Sequence, residues 1–497
     1  MNVNRHLLCK TDQIRLLEEA MIASGRSAEA LMEAAGRAAF RALRQRWPRA
    51  HVITVYCGKG NNGGDGYVLA RIAKNAGLWV RMVSLGEPAT PEALAAKHRA
   101  LSAGLISENH SSELLNKTQI VVDALLGIGV SGSVRAPLAS LIGEINQSET
   151  PCLSLDVPSG LNADTGSARG GAVSAEMTVT FICNKPGLMT GEGPDYAGQV
   201  ILEDLQAGSG GDIEQPLSQA WGFRLDAKWV SENMPGRKES AHKGSAGHVL
   251  VVGGGPGMAG APVLAGVAAL RMGAGRVSIA CHPDSHSAGR TCPELMVRAV
   301  RDKEEMSRLL ADADVLVIGP GLGQTAWAEE MYDVCVEGTG RKVIDADGLN
   351  LLARNPGKLT CSILTPHPGE AGRLIALDAK AVQANRPKVI EELVSKFNAT
   401  CVLKGAGTLV AQSGYPVMLC NRGHAGMATP GMGDVLSGII GALMAQGATA
   451  HLAAGIGVWC HAVAADLAGA AAGGLGMCAS DLSPYLRKLR SGRPVRE

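Results

Sequence analysis

Aromatic residues are scarce: Phe, Trp and Tyr together make up 3% of the 497 residues. Stacking platforms are therefore not the expected means of holding a ligand. No long run of one charge sign occurs and the formal net charge is +1, so nucleic acid is not an expected partner. The 12 cysteines lie singly, without a C-x-x-C pair or zinc-type spacing. In a chain of this length they read as reduced, buried thiols of a cytosolic protein. The opening MNVNRHLLCK has no apolar core of signal-peptide length, and a cytoplasmic location is expected. Neither a GxxxxGK(S/T) phosphate loop nor a GxSxG nucleophile turn is present. His282 and His286 have a helical metal spacing, but Pro283 lies between them after a strand-like run, so no metal is expected there.

One stretch lacks charge altogether. Val435–Ala465 contains no Asp, Glu, Lys or Arg and is long enough to cross a bilayer. Its Ala and Gly content, broken by Gln446-Gly447 and His451, predicts two buried helices joined by a turn instead, and no membrane partner.

Glycine is what abounds: 64 of 497 residues, about 13% against a typical ~7%. The length suits two domains of ordinary size, each with an apolar core. Residues 11–24 and 28–46 have helical spacing, followed by strand-like runs at 51–57, 79–85, 119–123 and 152–156 with helical patterns between them. This alternation predicts an α/β fold with a doubly wound parallel sheet. The pattern lapses over the polar, Gly-rich stretch 206–220, then resumes with strand-like runs at 247–252, 276–280, 314–318, 342–345, 361–365 and 400–403. The expected domains are therefore 1–214 and 215–497, both α/β, with no repeat relating them.

The G-x-G-x-x-G pattern occurs three times, at Gly58/Gly60/Gly63, Gly127/Gly129/Gly132 and Gly255/Gly257/Gly260. A dinucleotide fold of the hydride-transfer kind also needs an acid about 20 residues on. The first loop offers only Glu87, too far along. What remains is that each loop follows a strand and can present backbone N–H groups to an anion. The first loop, GNNGGDG (60–66), adds Asn61, Asn62 and Asp65. Asp123 and Asp156 each close a strand, the latter just before Ser159. Ligands of open parallel sheets sit outside the carboxyl ends of strands, so Asn62, Asp123 and Asp156–Ser159 are expected to converge there. As residues they leave three readings open: turn caps, ligands of a hard cation, or groups that move a proton.

The second half carries GPGLG (319–323), DADGLNLL (345–352), TPHPGE (365–370) with His367 in a proline-flanked loop, KGAGT (404–408) and GMGDVLSG (431–438). Lys404 is a candidate phosphate ligand. Gly431 and Gly433 precede a strongly helical run, where amides and helix dipole favour an anion. Asp434 stands beside that position, placed either to take a proton from a hydroxyl during phosphoryl transfer or simply to favour the first helical turn.

Taken together, these motifs resemble a known family. LMEAAGRAA (31–39), GKGNNGGDGYVLAR (58–71), VDALLGIGVSG (122–132) and LDVPSGLNADTG (155–166) are similar to the NAD(P)H-hydrate epimerase domain. HKGSAGHVLVVGGGPGMAGAPVLAG (242–266), GPGLGQ, DADGLNLL, TPHPGE, KGAGT and GMATPGMGDVLSGIIGAL (426–443) resemble the ADP/ATP-dependent NAD(P)H-hydrate dehydratase of the ribokinase-like superfamily. The order is that of the fused bacterial repair enzymes. The resemblance implies a Rossmann-like first domain that interconverts the R and S hydrates of NADH and NADPH. It implies a second that dehydrates the S form at the expense of ADP, giving AMP and phosphate. By the same resemblance Asn62, Asp123 and Ser159 match potassium ligands. Asn61, Asn62, Gly63, Gly64, Asp65, Gly127, Ile128, Gly129, Val130, Ser131, Gly132, Ser133 and Asp156 match hydrate-binding positions. In the second half Ala261, Gly323, His367 and Asp434 match hydrate-binding positions, and Lys404, Gly405, Ala406, Gly407, Thr408 and Gly433 the adenine-nucleotide site, where Mg2+ accompanies ADP. Asp434, Asp123 and Asp156 are the expected catalytic groups, and a homo-oligomer is expected.

The chain departs from the family pattern at Pro430, where glycine is usual, and at Met432, where threonine is common. The first loses a backbone donor and the second a hydroxyl, which puts nucleotide affinity in question. The usual acid of the first helix corresponds only to Glu18 or Glu19. Two other functions compete: a kinase for a vitamin-like alcohol in the C-terminal half, and a non-catalytic nucleotide-binding protein.

Overall fold

The computed structural model describes residues 6–129, 132–205, 217–338, 340–357 and 359–492. The expected boundary between 214 and 215, most of the 206–220 stretch, and the positions of Val130 and Ser131 lie outside the described residues. The chain divides into two compact units, Met1–Phe223 and Arg224–Glu497.

The first unit is built on seven parallel strands: β2 (Val52–Cys57), β3 (Trp79–Ser84), β4 (Ser107–Glu108), β5 (Ile120–Ala124), β6 (Cys152–Leu155), β7 (Met177–Phe181) and β8 (Gln199–Glu203). A short β1 (Leu7–Leu8) precedes them and pairs antiparallel with β9 (Gly222–Arg224), Leu7 opposite Phe223. The central strands are buried on both faces, which is why VITVYC and IVVDA read as continuous apolar runs rather than alternating ones. The sheet order is β4-β3-β2-β5-β6-β7-β8. The chain winds outward in one direction from β2 to β4, then starts again beside β2 with β5. This is the doubly wound arrangement, and its switch point lies between β2 and β5.

Helices α1 (Thr11–Ala23), α2 (Ala28–Arg46), α3 (Asn61–Asn75), α4 (Pro91–Ser102), α5 (Ser112–Asn116) and α6 (Ala136–Gln147) flank the sheet. In α2 the Ser27 side chain caps the first turn by accepting from Ala30 N, and Leu31, Met32, Ala35, Ala39, Ala42 and Leu43 form its buried stripe. The small residues of LMEAAGRAA let α2 and α3 approach closely: a Cβ on Gly36 would lie 2.6 Å from the Val68 side chain.

In the second unit β10 (His248–Val252), β11 (Arg276–Cys281), β12 (Met296–Ala299), β13 (Val315–Ile318), β14 (Arg341–Ile344), β15 (Ser362–Leu364) and β16 (Thr400–Leu403) run parallel. The strands β17 (Thr408–Ala411) and β18 (Val417–Cys420) extend the sheet antiparallel from β16. The switch point here lies between β10 and β13. The uncharged stretch forms helices Met432–Ala445 and Ala450–Ala472, which pack on each other. The second is long and apolar enough to cross a membrane, and 78% of its most apolar window is buried inside the protein. That burial is the mark of a core helix.

Candidate active sites

The first unit holds a cavity of about 1160 Å³. It opens at the carboxyl ends of β2 and β5, the switch point where such sheets leave room for a ligand. Its volume is at the upper end for small-molecule sites, enough for a ligand of dinucleotide size. After β2 the chain turns through Gly58–Gly60 into α3, so Asn61, Asn62 and Asp65 lie in the first turns of a helix that faces the cavity. After β5 the second glycine loop contributes Gly127, Ile128, Gly129, Gly132 and Ser133. Gly127 is where the two loops meet: a Cβ there would lie 3.2 Å from Asn62 Cβ and 3.6 Å from Asp156 Oδ2. Of the hydrate-binding positions matched in this half, Gly63 and Gly64 are buried in α3, behind the lining side chains.

A charged cluster forms one wall. Asp156 sits in the left-handed region at φ 64, a strained setting for a non-glycine residue, and turns its carboxylate towards Lys185. Lys185 is 1% exposed, and its Nζ donates to Asp156 Oδ1 at 2.6 Å, Phe181 O at 2.7 Å and Thr180 Oγ1 at 3.0 Å. Those three acceptors use all three of its N–H groups. Glu18 and Asp65 line the same cavity. Burial pushes the Asp65 carboxyl well above the usual carboxylate range, and the negative charges of Asp156 and Glu18 push it further. Glu18 is raised for the same reasons, burial first and Asp156 second. The wall therefore carries carboxyls whose protonated form is favoured beside an ion-paired carboxylate. Of the two acids considered for the first helix, Glu18 faces the cavity and Glu19 is exposed.

Asp123 lies behind this wall. It is fully buried, accepting from Ser159 Oγ at 2.5 Å and Leu125 N at 3.2 Å on Oδ1, and from Ser154 Oγ and Ser159 N, both at 2.8 Å, on Oδ2. Burial raises its pKa, and those hydrogen bonds pull it back. Asp123 does not line the cavity. The geometry thus separates the two strand-end acids: Asp156 meets the cavity, whereas Asp123 holds Ser159 and the Leu125–Leu126 turn. Asn62 donates from Nδ2 to Leu126 O at 2.8 Å, and its Oδ1 is buried without a hydrogen-bond partner among the described residues. An orphaned amide oxygen close to the Leu126–Ser159 contacts is an oxygen donor set that suits a hard cation.

In the second unit the site lies at the ends of β13, β14, β15 and β16. Asp345 closes β14 and is 1% exposed. Its Oδ1 accepts from Lys404 Nζ at 2.8 Å, and Glu370 Oε2 lies 3.8 Å from the same ammonium. Burial alone lowers the Lys404 pKa, but Asp345 and Glu370 outweigh it, and the ammonium is held above its usual value. The opening of helix Met432–Ala445 faces this pair: a Cβ on Gly433 would lie 3.1 Å from Lys404 Nζ and 3.5 Å from Asp345 Oδ2. Asp434, in the first turn of that helix, is pushed up to about 7 by burial and then by Asp345, with Lys404 acting against them. Glu370 is raised to about 6, chiefly by burial.

Around this centre Gly323 N donates to Asp347 Oδ2 at 2.9 Å. Ala261 abuts the same glycine loop, with a Cβ on Gly321 falling 3.0 Å from Ala261 Cβ. His367 caps helix Pro368–Ile375, its Nδ1 accepting from Gly369 N at 3.0 Å and Glu370 N at 3.4 Å. It is thus the first fixed point of a helix as well as part of a proline-flanked loop. Burial, then Lys404 and Arg373, lower its pKa, favouring the neutral imidazole. The loop Lys404–Thr408 is shaped from beneath by Arg386. This guanidinium is 0% exposed and donates to Leu403 O at 3.0 Å, Lys404 O at 3.1 Å and Gly407 O at 3.4 Å. Thr408 Oγ1 adds a bond to Gly405 O at 2.9 Å, and Ala406 lies within the same turn. Met432 is buried, so the residue that replaces a common threonine points into packing.

Sequence reasoning missed Lys185, Asp345, Asp347, Glu370 and Arg386 as site residues. Asp345 and Glu370 stand inside motifs already singled out, and Asp345 closes a strand just as Asp123 and Asp156 do. That signal was available.

Two family models match the chain: one described as YjeF-related protein N-terminus over residues 28–187, the other as NAD(P)H-hydrate dehydratase over residues 249–488. The chain is 45% identical to the bifunctional NAD(P)H-hydrate repair enzyme Nnr of Coxiella burnetii, covering 97% of this chain and 99% of that protein. It is 39% identical to the enzyme of the same name from Escherichia coli, covering 97% and 94%. Among solved structures, a ribokinase-like superfamily protein from Enterococcus faecalis is similar, with a TM-score of 0.50 and 26% identity, covering 54% of this chain and 95% of that one.

Proposed function

The chain belongs to the bifunctional NAD(P)H-hydrate repair enzymes, and from that premise we propose how its two sites divide the work. The first unit interconverts the R and S hydrates of NADH and NADPH. The second removes water from the S hydrate, consuming ADP and releasing AMP and phosphate.

The observation that carries the dehydratase reading is Asp434, pushed up to about 7 beside a lysine–carboxylate pair at a helix opening. A group with that pKa is an efficient base near neutrality. The hydrate bears a hydroxyl on the ring carbon next to nitrogen, and hydroxide is a poor leaving group. Asp434 takes the hydroxyl proton while the oxygen attacks the terminal phosphorus of ADP. The bond to the bridging oxygen breaks and AMP departs with the electron pair. Lys404 and the Gly433 amide face the transferring group. The ring nitrogen then expels phosphate, and loss of a proton from the neighbouring carbon restores the double bond. Mg2+ neutralises phosphate charge when bound with ADP. Asp347 and Glu370 are carboxylate donors of the type it takes alongside phosphate oxygens.

In the first unit Asp156, paired to Lys185, is the base, and Asp65 or Glu18, whose carboxyl pKa burial raises, is the acid. One assists departure of the ring hydroxyl and the other guides its return on the opposite face. Asn62 Oδ1, Ser159 and Asp123 are the groups that would hold a potassium ion, which would fix the loop carrying Gly127. The reading also carries a homo-oligomer in the cytoplasm, to be checked by solution mass and cell fractionation.

The test is incubation of the protein with mixed NADH hydrates and ADP. Recovery of reduced-nicotinamide absorbance, with one AMP released per NADH, is expected. No recovery, together with accumulation of a stable phosphorylated alcohol from another substrate, overturns the reading in favour of a kinase.

A further inference from the structure

A second hollow in the dehydratase unit, of about 490 Å³, is lined by Gln324, Asn350, Ala353, Arg354 and Arg373. Two guanidiniums and two amides face it, and no carboxylate does. Arg373 donates from Nε to Asn350 Oδ1 at 2.9 Å and makes no ion pair among the described residues. Arg354 contacts Gln324 Oε1 through one Nη and pairs with Glu329, outside the lining, at 2.8 Å through the other. The lining is therefore positive and rich in planar donors, the combination that recognises phosphate.

The hollow is wired to the reaction centre. Gln324 directly follows Gly323, and Asn350 Nδ2 donates to Asp347 Oδ1 at 3.2 Å while Asp347 Oδ2 accepts from Gly323 N. Asp347, Asn350 and Arg354 are spaced i, i+3, i+7 on helix Ala346–Arg354. They share one face, which runs about 10 Å from the centre to the hollow at the helical rise. From the other side, Glu370 and Arg373 share a face of helix Pro368–Ile375. A Cβ on Gly369 would lie 2.9 Å from His367 Cε1 and 4.0 Å from Arg373 Nη1. Lys404 and its loop, matched to ADP, meet the centre through Asp345, whereas the hollow adjoins Gly323 through Gln324 and His367 through Arg373, both matched to hydrate-binding positions. The hollow thus extends the hydrate's end of the site.

We propose that this hollow is the phosphate subsite for the ADP-ribose half of the dinucleotide hydrate, with Arg373 and Arg354 as its specificity-determining groups. The proposal rests on the repair reading above. The phosphate is either the pyrophosphate, common to both hydrates, or the 2′-phosphate of the NADPH form, and the experiment separates these.

With the full chain, initial rates on purified S hydrates of NADH and NADPH are compared for the wild type, Arg373→Gln, Arg354→Gln and the double variant. A charge-assisted contact predicts a KM increase of roughly tenfold to a hundredfold with kcat retained. An increase for both hydrates assigns the pyrophosphate; an increase for the NADPH form alone assigns the 2′-phosphate. Unchanged KM values for both, or a fall in kcat alone, overturn the proposal. Failure of the repair reading looks different: the wild type turns over neither hydrate. Calorimetric titration with adenosine 2′,5′-bisphosphate and with inorganic pyrophosphate covers that case. Loss of binding in the double variant supports the subsite, and equal binding by wild type and variant rejects it.

Discussion

The two units place nearly the same charges in two different folds. In the first, Lys185 stands with Asp156, Asp65 and Glu18; in the second, Lys404 stands with Asp345, Glu370 and Asp434. In both, one carboxylate is paired to the lysine, and burial raises the pKa of others. The lysines differ in what they have left to give. Lys185 has all three donors occupied by protein oxygens. It acts as a fixed positive charge paired to Asp156 and cannot turn to a ligand. Lys404 has one hydrogen bond, at 2.8 Å, and a looser ion pair at 3.8 Å. It retains a donor for a phosphate. The same inventory thus serves proton transfer in one unit and phosphoryl transfer in the other, and saturation of the lysine separates them.

The sharpest way to break this comparison is Asp434→Asn. The dehydration kcat is expected to fall about a thousandfold, the scale of a lost general base, while R/S exchange is unchanged. The first is read from ADP-dependent recovery of NADH, the second from chromatography of the hydrates. Equal loss of both would mean that the sites are not separate. Asp156→Asn should do the reverse, lowering exchange by about a hundredfold and sparing dehydration of purified S hydrate. Lys185→Met, by removing one partner of a buried ion pair, should also destabilise the first unit by about 3–5 kcal/mol in chemical denaturation. The corresponding Lys404→Met change should raise the KM for ADP with a smaller loss of stability, because Lys404 is less fully bonded to protein.

Much of this was legible in the sequence, and what was missed has physical reasons. The strands β2, β3, β5 and β6 lie within a residue or two of the expected runs, because buried parallel strands are β-branched and continuous. The edge strand β12 escaped notice because Met296 and Arg298 are exposed and its apolar signal is diluted. The antiparallel pair β17–β18 is short, four residues each, and its turn Ser413-Gly414 carried no strong hairpin signature. Asp123 and Asp156 announced themselves by closing strands, but only packing shows that one faces the cavity and the other a ring of hydrogen-bond donors. Lys185 lies 29 residues beyond Asp156 and reaches it only because β7 runs beside β6. No local pattern encodes that contact. Arg386 is similar: an arginine on a helix reads as solvated until the loop folds over it.

A smaller effect concerns pH. Asp434 must be ionised to accept a proton, so the dehydration kcat/KM should rise about tenfold per pH unit below about 7 and level off above it. Asp345 is the largest charge raising that value, with burial the first cause. Asp345→Asn should therefore move the inflection to lower pH. A shift upward would show that Lys404, released from its partner, no longer stabilises the Asp434 carboxylate. R/S exchange, governed by Asp65 and Glu18, should follow a different profile in the same preparation.

The smallest expected effect tests the orphaned oxygen in the first unit. Asn62 Oδ1 is buried and makes no hydrogen bond among the described residues, and leaving such an oxygen unsatisfied costs about 1–3 kcal/mol. A potassium ion bound there would remove that cost and, by mass action, stabilise the first unit by about 1 kcal/mol at a few times its dissociation constant. Thermal unfolding should therefore shift upward in potassium chloride relative to tetramethylammonium chloride at equal ionic strength, since screening is the same in both and only the small cation fits between oxygens. Asn62→Ala removes the orphaned oxygen and should abolish the difference. A difference that persists in Asn62→Ala places the cation elsewhere. Equal stability of the wild type in both salts means that no potassium ion is held at this oxygen, and that the loop carrying Gly127 is held by the protein's own hydrogen bonds with Asn62, Asp123 and Ser159.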